Sequence, residues 1–213
     1  NAAYNRRLYP IAAGNYQSFL SRYAAHPKAQ LARYGLGLSQ FALKQYDKAV
    51  AEFLKLINDP KLDKKIERGR LTLLHAQCLL YGGKKEEAQA RLVAAASNLP
   101  AGVHQTGAIA AVADLFFGQN DWQKTVTWAR KVQAVKSDSS QRLRAGYQEG
   151  FALFKLEKFA EAITGLEKTR TLATTAKSET WVTRINYLLS ECHVSNKSLD
   201  KAEVSLQSAL ASL

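Results

Sequence analysis

The sequence predicts an all-α protein, an array of antiparallel helix pairs with about 11 helices. Three observations point there. Alanine, leucine, lysine, glutamine and glutamate dominate, and all are good helix formers. Alternating β-branched stretches are missing, and only four prolines occur in 213 residues. A small residue recurs inside an apolar helical pattern at Ala12, Ala49, Ala88, Thr125, Ala162 and Ala202, in steps of 37, 39, 37, 37 and 40 residues. With 46% hydrophobic and 23% charged residues, the chain can bury a core and is not a disordered tail.

The opening stretch, NRRLYPIAAGNYQSFLSRYAAHP, places Tyr9, Ala12, Tyr16, Phe19 and Leu20 at helical spacing, and Pro10 suits a first turn. Residues 7–26 therefore read as the second helix of a pair whose first helix is missing. Residues 28–61 form the first full pair. One helix carries Leu36 and Gly37, a short polar turn follows, and Tyr46, Ala49, Phe53, Leu56 and Ile57 lie on the next helix. Small residues at Gly37 and Ala49 let the two helices approach closely. Residues 64–100 repeat this with Ala76, Ala88, Leu92 and Ala95, though Lys85 replaces the aromatic residue of the turn. Residues 101–137 carry Ala113, Trp122 and Thr125. Residues 140–174 carry Gly150, Phe159, Ala162 and Leu166. Residues 177–213 carry Ser190, Leu199, Ala202, Leu206, Ala209 and Leu210, and finish on the apolar string SLQSALASL. The array is expected to be one domain over 1–213. Array ends need a polar outer face. The chain is thus expected to be a segment of a longer array, or to dock its ends on another domain or on a second copy; a genuine half-repeat start is the alternative.

The pattern of small, aromatic, small and large residues in YGLGLSQFALKQYDKAVAEFLKLINDP resembles the tetratricopeptide repeat. The units run longer than the family's roughly 34 residues. The resemblance implies a right-handed α-solenoid whose first helices line a concave groove, and a non-catalytic scaffold that takes an extended peptide or partner helix there. The groove positions it implies are Tyr34, Leu38 and Phe41; Leu73 and Gln77; Ala110 and Asp114; Tyr147, Phe151 and Phe154; and Tyr187 and Glu191. Chaperone-binding members carry a Lys/Asn clamp for a terminal carboxylate, but Tyr34, Leu38, Leu73, Gln77, Tyr147 and Phe151 stand at the matching positions. The stretch YQSFLSRYAAHPKAQLARYGLGLSQFALKQYDKAVAEF also resembles repeats of bacterial envelope proteins, which implies a periplasmic or envelope setting, with a cytoplasmic scaffold as the alternative.

Formal charge is +12 with a pI near 9.7. That favours acidic partners or serves solubility. Arg33, Arg68, Arg70, Arg142, Arg144 and Arg184 fall near the starts of first helices, where cations oppose the helix dipole. Two roles fit. Arg33, Arg70, Arg144 and Arg184 form a basic ladder that pairs with acidic groups on a partner, or their long stems cover apolar surface between repeats. Nucleic acid is the second partner class, with Tyr34, Tyr147 and Tyr187 available to stack bases.

No enzyme, cofactor or metal pattern emerges. Gly35-Leu36-Gly37 lacks a third glycine and a preceding strand. His26, His75, His104 and His193 make no paired metal spacing, and Cys78 and Cys192 read as buried free thiols. Ser198 and Lys201 match an SxxK spacing, but Ser198 is better read as the cap of the last helix. Asn196-Lys197-Ser198 is a glycosylation acceptor only in a eukaryotic secretory setting. No apolar run approaches the roughly 20 residues of a membrane span. The start carries no signal core and no initiator methionine, which a processed or excised chain fits; methionine is absent throughout.

Overall fold

The computed structural model describes residues 2–211. These contain twelve helices and no strand: α1 (Ala2–Asn5), α2 (Tyr9–Arg22), α3 (Ala29–Ala42), α4 (Tyr46–Ile57), α5 (Arg68–Tyr81), α6 (Lys85–Asn98), α7 (Val103–Gly118), α8 (Trp122–Ala134), α9 (Ser139–Lys155), α10 (Phe159–Thr175), α11 (Glu179–Ser195) and α12 (Leu199–Leu210). The chain divides into two compact units, Asn1–Pro100 and Ala101–Leu213. In the first, α1 to α6 pack each on the next. In the second, α7 to α12 do the same, and α9 also touches both α7 and α11. The first helices of that unit therefore share one face, and α8 and α10 each pack between the first helices that flank them.

Eleven long helices match the expectation. The twelfth, α1, corrects the reading that the first pair has no first helix. Its turn shows what it is. All six turns within pairs contain three residues, and the middle one is left-handed: Arg7, Lys44, Gly83, Asn120, Glu157 and Lys197, with φ between 58° and 83°. In each, the N–H of that residue reaches back three positions and the next N–H reaches back five, as in Lys44 to the Phe41 carbonyl and Gln45 to the Gln40 carbonyl. This Schellman closure satisfies carbonyls that the helix end leaves open. Arg7 and Leu8 make the same two bonds, to Tyr4 and Ala3. So α1 is joined to α2 by the same turn that joins the first helix of each later pair to its second.

Aromatic pairs brace four of these turns, five residues apart across the left-handed position. Ring centroids are 5.5 Å apart for Tyr4 and Tyr9, 5.8 Å for Phe41 and Tyr46, 5.9 Å for Phe117 and Trp122, and 5.8 Å for Phe154 and Phe159. Leu80 and Lys85 stand at the equivalent positions of the third turn. There Tyr81 instead reaches the preceding pair, 5.6 Å from Tyr46 and 6.0 Å from Phe41.

The helix pairs close on the small residues. A methyl group added at Gly37 would lie 2.5 Å from the Phe53 ring, and one at Gly150 would lie 2.5 Å from Leu166 Cγ. Phe53, Leu166, Ala49, Ala88, Thr125 and Ala162 are fully buried. Thr125 and Ser190, the two hydroxyls among the small positions, donate locally to the Asp121 and Tyr187 carbonyls at 2.8 and 2.7 Å, so neither is an unsatisfied polar group. Cys78 and Cys192 are free and buried, and burial pushes both thiols up to about 12, which makes them unreactive core residues. His75 and His193 are buried too. Burial first, then the charges of Arg91 and Lys201, hold their imidazoles below the ordinary histidine value.

Ser198 stands at the N-cap of α12 without capping it. Its hydroxyl lies 3.5 Å from the Asn196 carbonyl and accepts nothing from α12. Aspartates do that work elsewhere. Asp121 accepts from the Lys124 N–H of α8, and Asp138 from the Gln141 N–H of α9.

Two predictions follow from these contacts. Ala49→Leu overpacks the first full pair and costs about 1–3 kcal/mol, read as a lower urea midpoint at unchanged slope; an unchanged midpoint would mean Ala49 does not set the helix separation. Lys44→Gly relieves a left-handed side-chain clash and stabilises by about 1 kcal/mol, seen as a higher melting temperature.

Candidate partner-binding faces

The second unit presents a stripe on α9: Arg144, Tyr147, Gln148 and Phe151 recur every three or four residues and so share one helix face. Asp114, from α7, meets its upper end. One carboxylate oxygen accepts from Arg144 Nη1 at 2.9 Å, and the other from Gln148 Nε2 at 2.7 Å. Lower down, Phe151 sits 5.5 Å from Phe117 and 5.7 Å from Trp122, and Tyr147 sits 5.7 Å from Trp181 of α11. The Arg184 guanidinium lies 5.5 Å over the Trp181 ring. Burial raises the Tyr147 phenol above its ordinary value, and the Arg184 charge opposes that shift. Tyr187, one turn beyond Arg184, is 57% exposed.

This face gathers five residues expected from the sequence: Asp114, Arg144, Tyr147, Phe151 and Arg184. It also brings in Trp181, Gln148 and Phe117, which sequence reasoning left out. The signal for Trp181 was present, since it precedes Arg184 by three positions and Tyr187 by six. Phe154 belongs elsewhere: it braces the turn with Phe159.

In the first unit, the expected groove residues divide differently. Tyr34, Leu38 and Phe41 are half-buried against the core around Phe53, and Tyr34 lies 6.1 Å from the Phe53 ring. Leu73 is half-buried, while Gln77 and Arg70 are exposed. Arg70 is close enough to act on two phenols. Burial raises both Tyr4 and Tyr34, and the Arg70 charge lowers each.

The four ladder arginines are therefore not equivalent. Arg33 pairs with Glu52 at 2.6 Å, and Glu52 also takes Lys55 at 2.9 Å. Arg144 pairs with Asp114. Arg184 stacks on an indole, and the charge of the exposed Arg70 acts on the Tyr4 and Tyr34 phenols. Among the described residues, no three His, Cys, Asp or Glu side chains come together as a metal site. No described helix is long and apolar enough to cross a membrane.

Paired helices joined by three-residue turns and stacked in sequence define an α-solenoid-type array. The tetratricopeptide-repeat family model matches residues 1–63, and the same three-residue turns join the helix pairs in the rest. Among solved structures, MamA AMB-1 is similar with a TM-score of 0.65 at 15% identity, over 85% of this chain and 90% of that one. MamA MSR-1 gives 0.62 at 14% identity, over 87% and 97%. A Podosopora anserina kinesin-light-chain-type protein with nearly identical TPR-like repeats gives 0.62 at 17% identity, over 88% and 95%. No curated protein matches the chain in sequence.

Asp114→Ala strands the buried Gln148 amide as well as Arg144 and is expected to cost about 1–3 kcal/mol in chemical unfolding. Asp47→Ala, which removes only the exposed Lys84 partner, leaves the midpoint in place. Equal effects of the two would show that Asp114 is merely a surface acid.

Proposed function

We propose that the chain is a non-catalytic protein-interaction scaffold whose first-helix faces hold a partner's extended segment or helix. The observation that carries this reading is the second unit's run of half-buried rings, Phe117, Phe151, Tyr147 and Trp181, ending in the exposed Tyr187. Aromatic and arginine side chains are the residues that dominate binding energy at protein interfaces. They supply wide contact area at little entropic loss. Acidic partners fit best, since Arg70 and Arg184 keep charges that no carboxylate of the described residues neutralises. A nucleic-acid reading draws on the net charge of +12; it differs in requiring steep, log-linear loss of binding with salt.

The test is capture from the source cells with four baits: the natural chain, Arg184→Glu/Tyr187→Ala, Arg70→Glu, and Lys168→Glu on the second helix α10 as control. A protein retained by the natural chain and the control but reduced about tenfold or more by either face variant supports the scaffold reading. Retention by all four baits overturns the face assignment. Nucleic acid as the sole salt-eluted material overturns the partner class.

A further inference from the structure

The connections between successive pairs are short, with one exception. They span residues 23–28, 99–102, 135–138 and 176–178, whereas α4 and α5 are joined by residues 58–67. An irregular connection on a rigid helical frame is where binding residues concentrate. This one is firmly held. Arg68 donates to the Ile57 carbonyl at 2.7 Å and the Asp59 carbonyl at 3.0 Å. Gln30, from α3, donates to the Asp59 carboxylate at 2.6 Å and the Lys61 carbonyl at 3.2 Å, and accepts from the Asp63 N–H at 2.5 Å.

Together with the turn before α3, this loop walls a cleft of about 660 Å³ within the first unit. Its lining carries a cationic excess, with Arg33, Lys61, Lys64 and Lys65 against the carboxylates of Asp59 and Asp63. Asp59 and Asp63 each accept a backbone N–H of the loop, from Lys61 and Lys65, at 2.8 Å, so both carboxylates serve to fold the loop. Lys61, Lys64 and Lys65 line the cleft, and no carboxylate of the described residues lies within ion-pair distance of their ammonium groups. Across from them, His26 Nδ1 accepts from the Lys28 N–H at 3.0 Å, which leaves Nε2 as the outward donor. The surrounding field has the same sign. The first unit carries sixteen basic and seven acidic residues, a net +9, against +3 for the second. A positive cleft inside a positive unit draws anions toward it.

We propose that this cleft is an oxyanion site for closely spaced phosphate groups, held by Lys61, Lys64, Lys65 and His26. Ammonium groups act as point charges suited to compact, multiply charged phosphate, whereas a planar carboxylate is better matched by an arginine fork. The one arginine lining the cleft, Arg33, is occupied by Glu52. The loop is organised before the ligand arrives, so little ordering cost accompanies binding. The phosphate can come from a free diphosphate compound or from a phosphorylated side chain of a protein partner. The site is separate from the partner-binding face of the second unit.

Calorimetric titration of the full chain with inorganic pyrophosphate tests this. The natural chain is expected to bind, and Lys64→Gln/Lys65→Gln, whose side chains make no contact with the core, to bind about tenfold more weakly or worse. Lys44→Gln/Lys48→Gln, at the opposite tip of the first full pair, should bind as the natural chain does. Competition by a doubly phosphorylated serine peptide assigns the protein source, and its failure to compete assigns the free compound. No pyrophosphate binding, or equal loss in both double variants, overturns the site. So does length-dependent binding of a DNA oligomer that is indifferent to Lys64 and Lys65.

Discussion

Everything else in this fold rests on how closely the two helices of a pair approach. At Gly37 and Gly150 the opposing side chain, Phe53 or Leu166, occupies the space a methyl group would need. Where the first helix carries alanine instead, as at Ala76 and Ala113, the equivalent second-helix residues are Leu92 and Ala129. The largest opposing ring, Phe53, meets a glycine and the smallest opposing side chain, Ala129, meets an alanine, while leucine fits opposite either. Leu206 is the informative departure. It stands at the position of Phe53, Leu92, Ala129 and Leu166, which are all buried, yet it is 41% exposed. The small residue opposite is therefore only part of what buries this position.

Close pairing needs a turn that reverses the chain in three residues, and the left-handed position supplies it. Five of the six residues that adopt it are not glycine. Each carries the penalty of a side chain in that region, so the turn is held from outside by the two backward hydrogen bonds and, in four cases, by the ring pair that spans it. This explains why the aromatic residue at the start of a second helix recurs. It is a brace for the reversal as much as a member of the core. It also explains why Phe41 and Phe154, though on first helices, are turned toward the pair's own tip and away from a partner.

The helix pairs were legible in the sequence because small residues at close contacts leave a period that survives substitution of everything around them. The left-handed turns were not, because Arg, Lys, Asn and Glu at those positions share no chemistry; only the hydrogen-bond geometry unites them. The same limit applied to the aromatic face of the second unit. Tyr147, Phe151 and Arg184 could be placed from repeat position alone. That Asp114 neutralises Arg144 could not, since the two lie 30 residues apart and meet only because α7 and α9 touch.

The arginines show how repeat position and charge part company. Equivalent places in the repeat gave Arg70, Arg144 and Arg184 the same expected roles, but each charge is governed by the side chains around it. Arg144 meets an acid and Arg184 an indole of its own helix, while the Arg70 charge acts on the Tyr4 and Tyr34 phenols. An ion pair half-exposed at a surface is worth little to stability and leaves little field for a ligand. A guanidinium on an aromatic face keeps its outward donors and its charge. The residue at a repeat position thus fixes the element's geometry, while the side chains around it decide what charge that position presents.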